Sequence, residues 1–527
     1  MKENAMNDSG QNKGAEPMPP VYTKLKALYL TTELVKQGKP NVTLITSASG
    51  VYDEQASRIQ QIIETRSGVK VPIATDDSPA AAVPIQGNLI VLGNRSTNKT
   101  IGELYNRYYT LLDLRYPGPE GYVVRSLHNP FGDGRNVVFV GGSDAVGVGA
   151  AAEVFIEKVS QADAGSQGLS MGWLMEIKLG LGVHVPKELR DFEIWEASAT
   201  YGSQGYFGWN SISKRMAMYY MTGEPFHARE TLRLAFPDAR AKAEIAEIDG
   251  ERIENKDEPL SGPYHYNAHM MILFWDLIEE SPVFSDEERL RVTNAFSKQF
   301  GHPQEQGWRK RIVDHTLEGG EAYVEPPPHV GTRHGQWSAI ALYGLCRYFQ
   351  KDYPHPLWQH GIDAAQWQFA SLHRHAWVGG ENDNLYWYNT AIAPILSYLL
   401  LMGDREPLEN GVLARLLRGQ EILISGRMPD WALNAASIGF LHKAAYLMQD
   451  GRYVEYLRRT GMDLDVFRLG QSFWPETHLK PERPADLADK WRIHPLPEPM
   501  WRARNSGLPM EDSFQFGSFR SAPDASG

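Results

Sequence analysis

Three short stretches concentrate the side chains that can do chemistry. The first is Gly331-Thr332-Arg333-His334-Gly335-Gln336-Trp337, which follows the proline-rich run Glu325-Pro326-Pro327-Pro328-His329. Beyond it Trp337, Ala341, Gly344, Leu345 and Tyr348 recur at three- and four-residue steps, the period of one helix face. His334 therefore stands at a helix start, where unpaired backbone N–H groups and the dipole favour a negative ligand. Arg333 adds a planar fork of donors matched to a carboxylate. A lone histidine in such a place would otherwise be read as a capping or packing group.

The second stretch, Tyr264-His265-Tyr266-Asn267-Ala268-His269, enters a helix in which Met271, Phe274, Trp275 and Ile278 share one face. His265 and His269 have the i, i+4 spacing of paired metal ligands. No glutamate lies between them as in H-E-x-x-H, and no metal site is expected. In the third stretch a polar link with Glu381, Asn382, Asp383 and Asn384 runs into Leu385-Tyr386-Trp387-Tyr388-Asn389. Its plain reading is a capped helix start with aromatic packing. All three stretches put imidazole, phenol or amide groups at helix starts, on one face of the molecule if alternate helices run parallel.

Arg333-His334-Gly335-Gln336-Trp337 resembles the Asn-His-Gly-x-Trp helix start of the alginate lyase and heparinase II/III superfamily. Leu385-Tyr386-Trp387-Tyr388-Asn389 is similar to that superfamily's second catalytic segment. The resemblance spans residues 187–465 and implies an (α/α) toroid followed by β-sandwich sheets. It implies a polysaccharide lyase that cleaves a uronic-acid polysaccharide by β-elimination, with no metal or organic cofactor. The C5 proton of a uronate is weakly acidic, so donors aimed at its carboxylate must stabilise the enediolate. A base takes that proton and an acid protonates the leaving O4; tyrosine serves as either where cationic neighbours lower its pKa. On this resemblance Tyr388 is base or acid, with Tyr386 the alternative, and His334 neutralises the carboxylate or is the complementary base. Arg333 stands where the family pattern often has asparagine, which makes Asn267, Asn382 and Asn384 alternates for the carboxylate. Gln336, Trp337, His269 and Arg311 complete the implied substrate-binding set, and Arg309, Lys310 and Arg311 are the basic cluster a sulfated sugar would need. The competing readings are a toroid glycoside hydrolase using two carboxylates among Glu321, Glu381, Asp383 and Asp430, and a glycan-binding protein without catalysis.

The elements that must position these groups follow from length and pattern. At 527 residues the chain exceeds the size at which one core keeps growing, so two or more domains are expected. Its 42% hydrophobic and 22% charged composition is that of a soluble globular protein. The formal charge of −11 argues against nucleic-acid binding and requires a local cationic pocket for any anionic polymer. Cys346 is the only cysteine, so no intrachain disulfide forms; on its apolar helix it reads as a buried, inert thiol. Residues 1–20 read as a polar, disordered tail without the apolar core of a signal peptide, and no apolar run reaches membrane-spanning length.

Residues 21–165 alternate strand and helix signals, with strands at 41–46, 88–93, 121–125 and 136–140 and helices at 53–66 and 144–159. One helix-covered sheet is expected. Gly141-Gly142-Ser143-Asp144-Ala145-Val146-Gly147 follows a strand and opens a helix, but its spacing is not G-x-G-x-x-G and predicts a tight turn. Leu92-Gly93-Asn94, residues 120–125 and residues 137–155 resemble the N-terminal α/β domain found ahead of α-glucuronidase and hexosaminidase catalytic domains. That resemblance implies a carbohydrate context and no catalytic residue. From residue 186 to 470 paired helices are expected, 187–200 and 406–424 among them, with long links such as 237–263 between pairs and αα-hairpins joined at Gly223, Gly403 and Gly451. The expected fold is thus mainly α, a toroid of helical hairpins behind a small α/β domain. Residues 471–527 read as an extended linker and, at 514–520, the first strand of a C-terminal β domain.

Overall fold

The computed structural model describes residues 19–165, 168–183, 185–191, 195, 208–301, 330, 333–374, 385–423, 435–459, 478–485, 491–495, 509 and 514–519. Strands come first: Thr32–Lys36 (β1), Lys39–Pro40 (β2), Val42–Thr46 (β3), Ile73–Thr75 (β4) and Asn88–Gly93 (β5). They continue with Tyr122–Leu127 (β6), Val137–Gly142 (β7), Ala164–Gly165 (β8), Gly168–Met171 (β9) and Met175–Lys178 (β10). Helices Asp53–Ser67 (α1), Lys99–Asn106 (α2) and Ala145–Gln161 (α3) lie between them. A six-stranded sheet runs β10-β6-β7-β5-β3-β4, parallel through β7, β5, β3 and β4 and antiparallel at β6 and β10.

Strands β5 and β7 are apolar without alternation because both faces of this sheet are covered. Ile90, Leu92, Val138 and Val140 point to a core shared with α1 and α3. Leu89, Val91, Val137 and Phe139 point the other way, into a second core continuous with the helical part of the chain. The two-residue side-chain period of a strand thus joins the α/β part to the helices. The single sheet expected is corrected to two: β2-β1-β9-β8 forms a separate antiparallel sheet. Its two-residue strands carry no readable pattern. The glycine turn is a packing device, as its spacing predicts. A Cβ on Gly142 would lie 2.6 Å from the Gly147 carbonyl carbon, and one on Gly147 would collide with the Gly121 oxygen. Asp144 caps α3 by accepting from Gly147 N–H at 2.7 Å.

The helical part contains Ser211–Thr222 (α4), Pro225–Ala235 (α5), Ala239–Ile248 (α6), Ala268–Ile278 (α7), Asp286–Ser297 (α8) and Arg333–Asp352 (α9). It continues with Pro356–Phe369 (α10), Leu385–Met402 (α11), Glu406–Glu409 (α12), Val412–Leu423 (α13), Ala435–Met448 (α14) and Gly451–Arg459 (α15). The chain is therefore mainly α with a smaller α/β part. Three readings are corrected. Residues 187–191 are turn and bend, not a helix start, and the link read at 237–263 contains α6. The single helix read at 406–424 breaks into α12 and α13 around Gly411, whose φ of 78° no helix accommodates.

Helices α4, α7, α9, α11 and α14 form a row, each packed on the next, while α5, α10 and α15 pair with α4, α9 and α14 on the outside. The row is parallel. Just beyond the end of α7, Ser281 is hydrogen-bonded to Tyr219 near the end of α4 at 2.5 Å. Near the end of α9, the Tyr348 hydroxyl donates to Glu279, the residue that follows α7, at 2.9 Å. Leu401 and Met402 end α11 beside Arg347 and Lys351 of α9, and Tyr446 and Leu447 of α14 pack on Leu400 of α11. These C-terminal ends sit on the α/β part, where Arg125 donates to the Tyr220 carbonyl at 2.8 Å and Tyr116 to the Met221 carbonyl at 3.0 Å. Cationic donors at helix C-termini satisfy orphan carbonyls and complement the dipole.

A buried ion cluster clamps that end. Lys26 reaches Glu279 at 2.7 Å, Asp352 at 2.8 Å and Glu280 at 3.2 Å, while Lys351 reaches Asp276 at 2.6 Å. Burial works to lower the Lys26 pKa, but the facing carboxylates outweigh it and keep the ammonium charged. Burial pushes the Glu279 carboxyl up to about 7, with Glu280 and Asp352 adding to the rise against Lys26. The two partners move the same way because three carboxylates crowd Lys26, and of these Lys351 reaches only Asp352, at 3.4 Å. The segment carrying Lys26 continues back to Pro20, whose carbonyl accepts from Ser297 at 2.7 Å, so the disordered reading is corrected at Pro20; residues 1–18 lie outside the described residues. Near the other terminus the strand expected at 514–520 is Phe514–Phe519 (β12), paired antiparallel with Trp491–Pro495 (β11). Among the described residues no helix is long and apolar enough to cross a membrane.

Candidate functional site

With the C-terminal ends of α7, α9, α11 and α14 together, their N-terminal ends fall at the opposite end of the row. There the chain before α7 turns, Asn267 N–H donating to the Tyr264 carbonyl at 2.8 Å, and this turn sets His265 and Tyr266 against the first turn of α9. His265 Nε2 lies 3.0 Å from His334 Nδ1, and the Tyr266 hydroxyl lies 3.0 Å from the same nitrogen. The rings are layered: Tyr266 stacks on His334 at 5.2 Å and 28°, and His265 sits 4.2 Å from Tyr266. His334 is partly exposed, whereas His265 is 0% and Tyr266 2% exposed. A substrate reaching this corner therefore meets His334 in front of two buried partners.

One layer further in, His269 stacks on Trp337 at 5.3 Å, and Trp337 meets Tyr266 edge-on at 6.0 Å. Asn267, His269, Gln336 and Trp337 are all fully buried. Of these four, read as substrate-binding groups, His269 and Trp337 back the Tyr266 ring that stacks on His334. His265 and His269 do not converge as metal ligands: one faces His334 and the other Trp337. Among the described residues no three histidine, cysteine or acidic side chains gather as a metal-binding group.

Arg333 begins α9 and Tyr386 and Tyr388 lie in the first turn of α11, the neighbour of α9 in the row, so all three start helices at the His334 end. Their side chains lie outside the described residues, as do Arg309, Lys310, Arg311, Glu321, Glu381, Asn382, Asp383, Asn384 and Asp430 entirely. His265 and Tyr266 were absent from the functional set read from sequence. The available signal was their position: they precede a helix start, as His334 and Tyr388 do.

Elsewhere a cavity of about 440 Å³ opens between the α/β part and α9 to α11, lined by Arg107, Tyr109, Phe131, Tyr343, Arg347 and Lys351 among others. Its cations are already engaged, Arg107 by Glu103, Arg347 by the Arg107 carbonyl, and Lys351 by Asp276. All three side chains are thus tied to protein groups. No family model and no curated protein matches the chain.

Proposed function

We propose that the chain is a polysaccharide lyase acting on a uronic-acid-containing polysaccharide by β-elimination, with the row of helices closing into an (α/α) toroid. The observation that carries this reading is the triangle of His334, His265 and Tyr266 at the joined N-terminal ends of two parallel helices. Helix N-termini offer positive potential and unpaired N–H groups to a carboxylate. A partly exposed imidazole backed by a buried imidazole and a buried phenol is proton-transfer machinery held in one orientation. Arg333 and the start of α9 would neutralise the uronate carboxylate, and a tyrosine from the start of α11, Tyr388 or Tyr386, would serve with His334 in proton transfer. The overall charge of −11 makes this local positive corner the part of the molecule suited to an anionic polymer.

Elimination removes the C5 proton, turns the C–H electron pair into a C4=C5 double bond, and breaks the C4–O4 bond as O4 is protonated. The product is a conjugated uronate that absorbs in the near ultraviolet. Incubation with alginate, glucuronan and heparin-like chains tests the reading by that absorbance. New reducing ends without absorbance would replace it with hydrolysis.

A further inference from the structure

We infer that the cavity at the C-terminal end of the helix row, opposite His334, binds a small carboxylate carried on an apolar ring. The inference stands apart from the lyase reading, since this cavity shares no residue with the His334 corner. Its volume of about 440 Å³ falls in the range of small-molecule sites, and the seam between two parts of a chain is where such sites form.

The lining is biased both in charge and in hydrogen bonding. Its charged side chains, Arg107, Arg347 and Lys351, are all cations, and their acid partners Glu103, Asp276 and Asp352 do not line it. Arg107 is only part-used. It spends Nη1 on the Glu103 carboxylate and carbonyl, and among the described residues no acceptor meets its Nε or Nη2. The Gln350 carbonyl accepts from His355 N–H at 3.2 Å, which leaves the Gln350 amide nitrogen without a partner there. The Tyr343 hydroxyl has none either. Burial raises the Tyr343 pKa against the pull of Arg347 and Arg107, so the phenol stays protonated beside two cations. Three lining side chains thus hold spare donors. A cation-lined, donor-rich pocket selects an acceptor-only group, and a carboxylate fills a guanidinium fork with two parallel hydrogen bonds.

The rest of the lining is largely apolar, with Phe131, Ile362, Leu401 and Met402 prominent in it. These side chains meet a flat apolar ring by burial and offer nothing to the hydroxyls of a sugar acid or the remaining oxygens of a phosphate. The walls are fixed by the protein itself. Tyr109 donates to the Pro130 carbonyl at 2.7 Å and meets Phe131 edge-on at 5.4 Å. Arg347 lies over the Tyr109 ring at 4.7 Å and donates to the Arg107 carbonyl at 2.9 Å, bracketing the backbone that carries the fork. Such preorganisation lowers the cost of binding.

The test titrates benzoate into the full chain by saturation-transfer NMR, with benzyl alcohol as the neutral counterpart and glucuronate as a carboxylate on a polar ring. Benzoate should bind saturably with a Kd of about 1 mM or tighter, and the other two about tenfold more weakly or worse. Arg107→Met keeps the apolar stem and should weaken benzoate about tenfold to a hundredfold, the loss of a charged hydrogen bond. Because Arg107 also holds Glu103, Ile362→Trp guards the test: it fills the cavity with every cation in place and should weaken benzoate by at least about tenfold. No saturable binding below about 20 mM, or equal binding by wild type and the folded Ile362→Trp variant, would overturn the inference. Glucuronate binding as tightly as benzoate would overturn the apolar ring, and benzyl alcohol doing so would overturn the carboxylate.

Discussion

Replacing Lys26 by methionine should destabilise the protein by an amount that depends on pH in a defined direction. The side chain is 3% exposed and is the ammonium nearest to Glu279, Glu280 and Asp352. Lys351 lies 2.6 Å from Asp276 and 3.4 Å from Asp352, so the variant leaves buried Glu279 and Glu280 without their cation. Breaking such a pair on one side costs about 3–5 kcal/mol. Relief comes from protonating Glu279, whose carboxyl burial already holds up at about 7. A folded pKa above the unfolded value gives stability that is full at low pH and lost as pH rises through the folded value. In the wild type, ionisation of Glu279 one unit above its folded pKa, at about pH 8, recovers about 1.4 kcal/mol. Without Lys26 the carboxyl stays protonated there and recovers nothing. The loss caused by the substitution should accordingly be about 1.4 kcal/mol larger at pH 8 than at pH 5, where Glu279 is protonated in both proteins. Urea denaturation of both proteins at the two pH values measures it. Adding Glu279→Gln to the variant should return part of the loss by removing one unpaired charge. A loss below about 1 kcal/mol at pH 8, or a larger loss at pH 5, would show that these carboxylates do not depend on Lys26 for their charge.

Other perturbations probe the packing and the site separately. Gly361→Ala should cost about 1–3 kcal/mol in the same denaturation assay, because its Cβ would collide with the buried Cys346 Sγ; Cys346→Ala in the same chain should restore most of it. In the folded protein the Cys346 thiol should resist alkylation by iodoacetamide and react only on denaturation. Trp337→Ala should destabilise by about 3–5 kcal/mol, since the ring is fully buried against His269 and Tyr266. If the lyase reading holds, Tyr388→Phe should abolish product while substrate binding persists. Loss in Tyr386→Phe instead would shift the catalytic phenol by two residues.

The helices were legible because their signals are local. Apolar periodicity marked α7 and α9, and Gly223 and Gly403, both at positive φ, closed the helices that the sequence ends there. Sheet strands β5 and β7 were legible as short apolar runs, yet which face meets which core was not: only tertiary structure divides Leu89 and Val91 from Ile90 and Leu92. Short edge pieces such as β2, β4 and β8 escaped because two or three residues hold no period. In the site, His334 was found by its helix start. His265 and Tyr266 stand in one stretch with Asn267 and His269, and residue type alone does not set them above those two. Nothing local tells that the turn at Tyr264–Asn267 aims His265 and Tyr266 at a ring nearly seventy residues away. The Lys26 cluster was invisible for the same reason, since a single lysine in an extended segment gives no sign of four acids gathered from two helices and their ends.

The central claim is that His334 sits at the reacting centre of a β-eliminating enzyme. The most direct measurement is near-ultraviolet absorbance, at about 235 nm, for wild type and His334→Ala on a panel of uronate polymers. Absorbance should rise with at least one polymer for the wild type and not for His334→Ala, with the variant's fold intact by circular dichroism. Equal rates in the two proteins, or reducing ends released without absorbance, would contradict that claim.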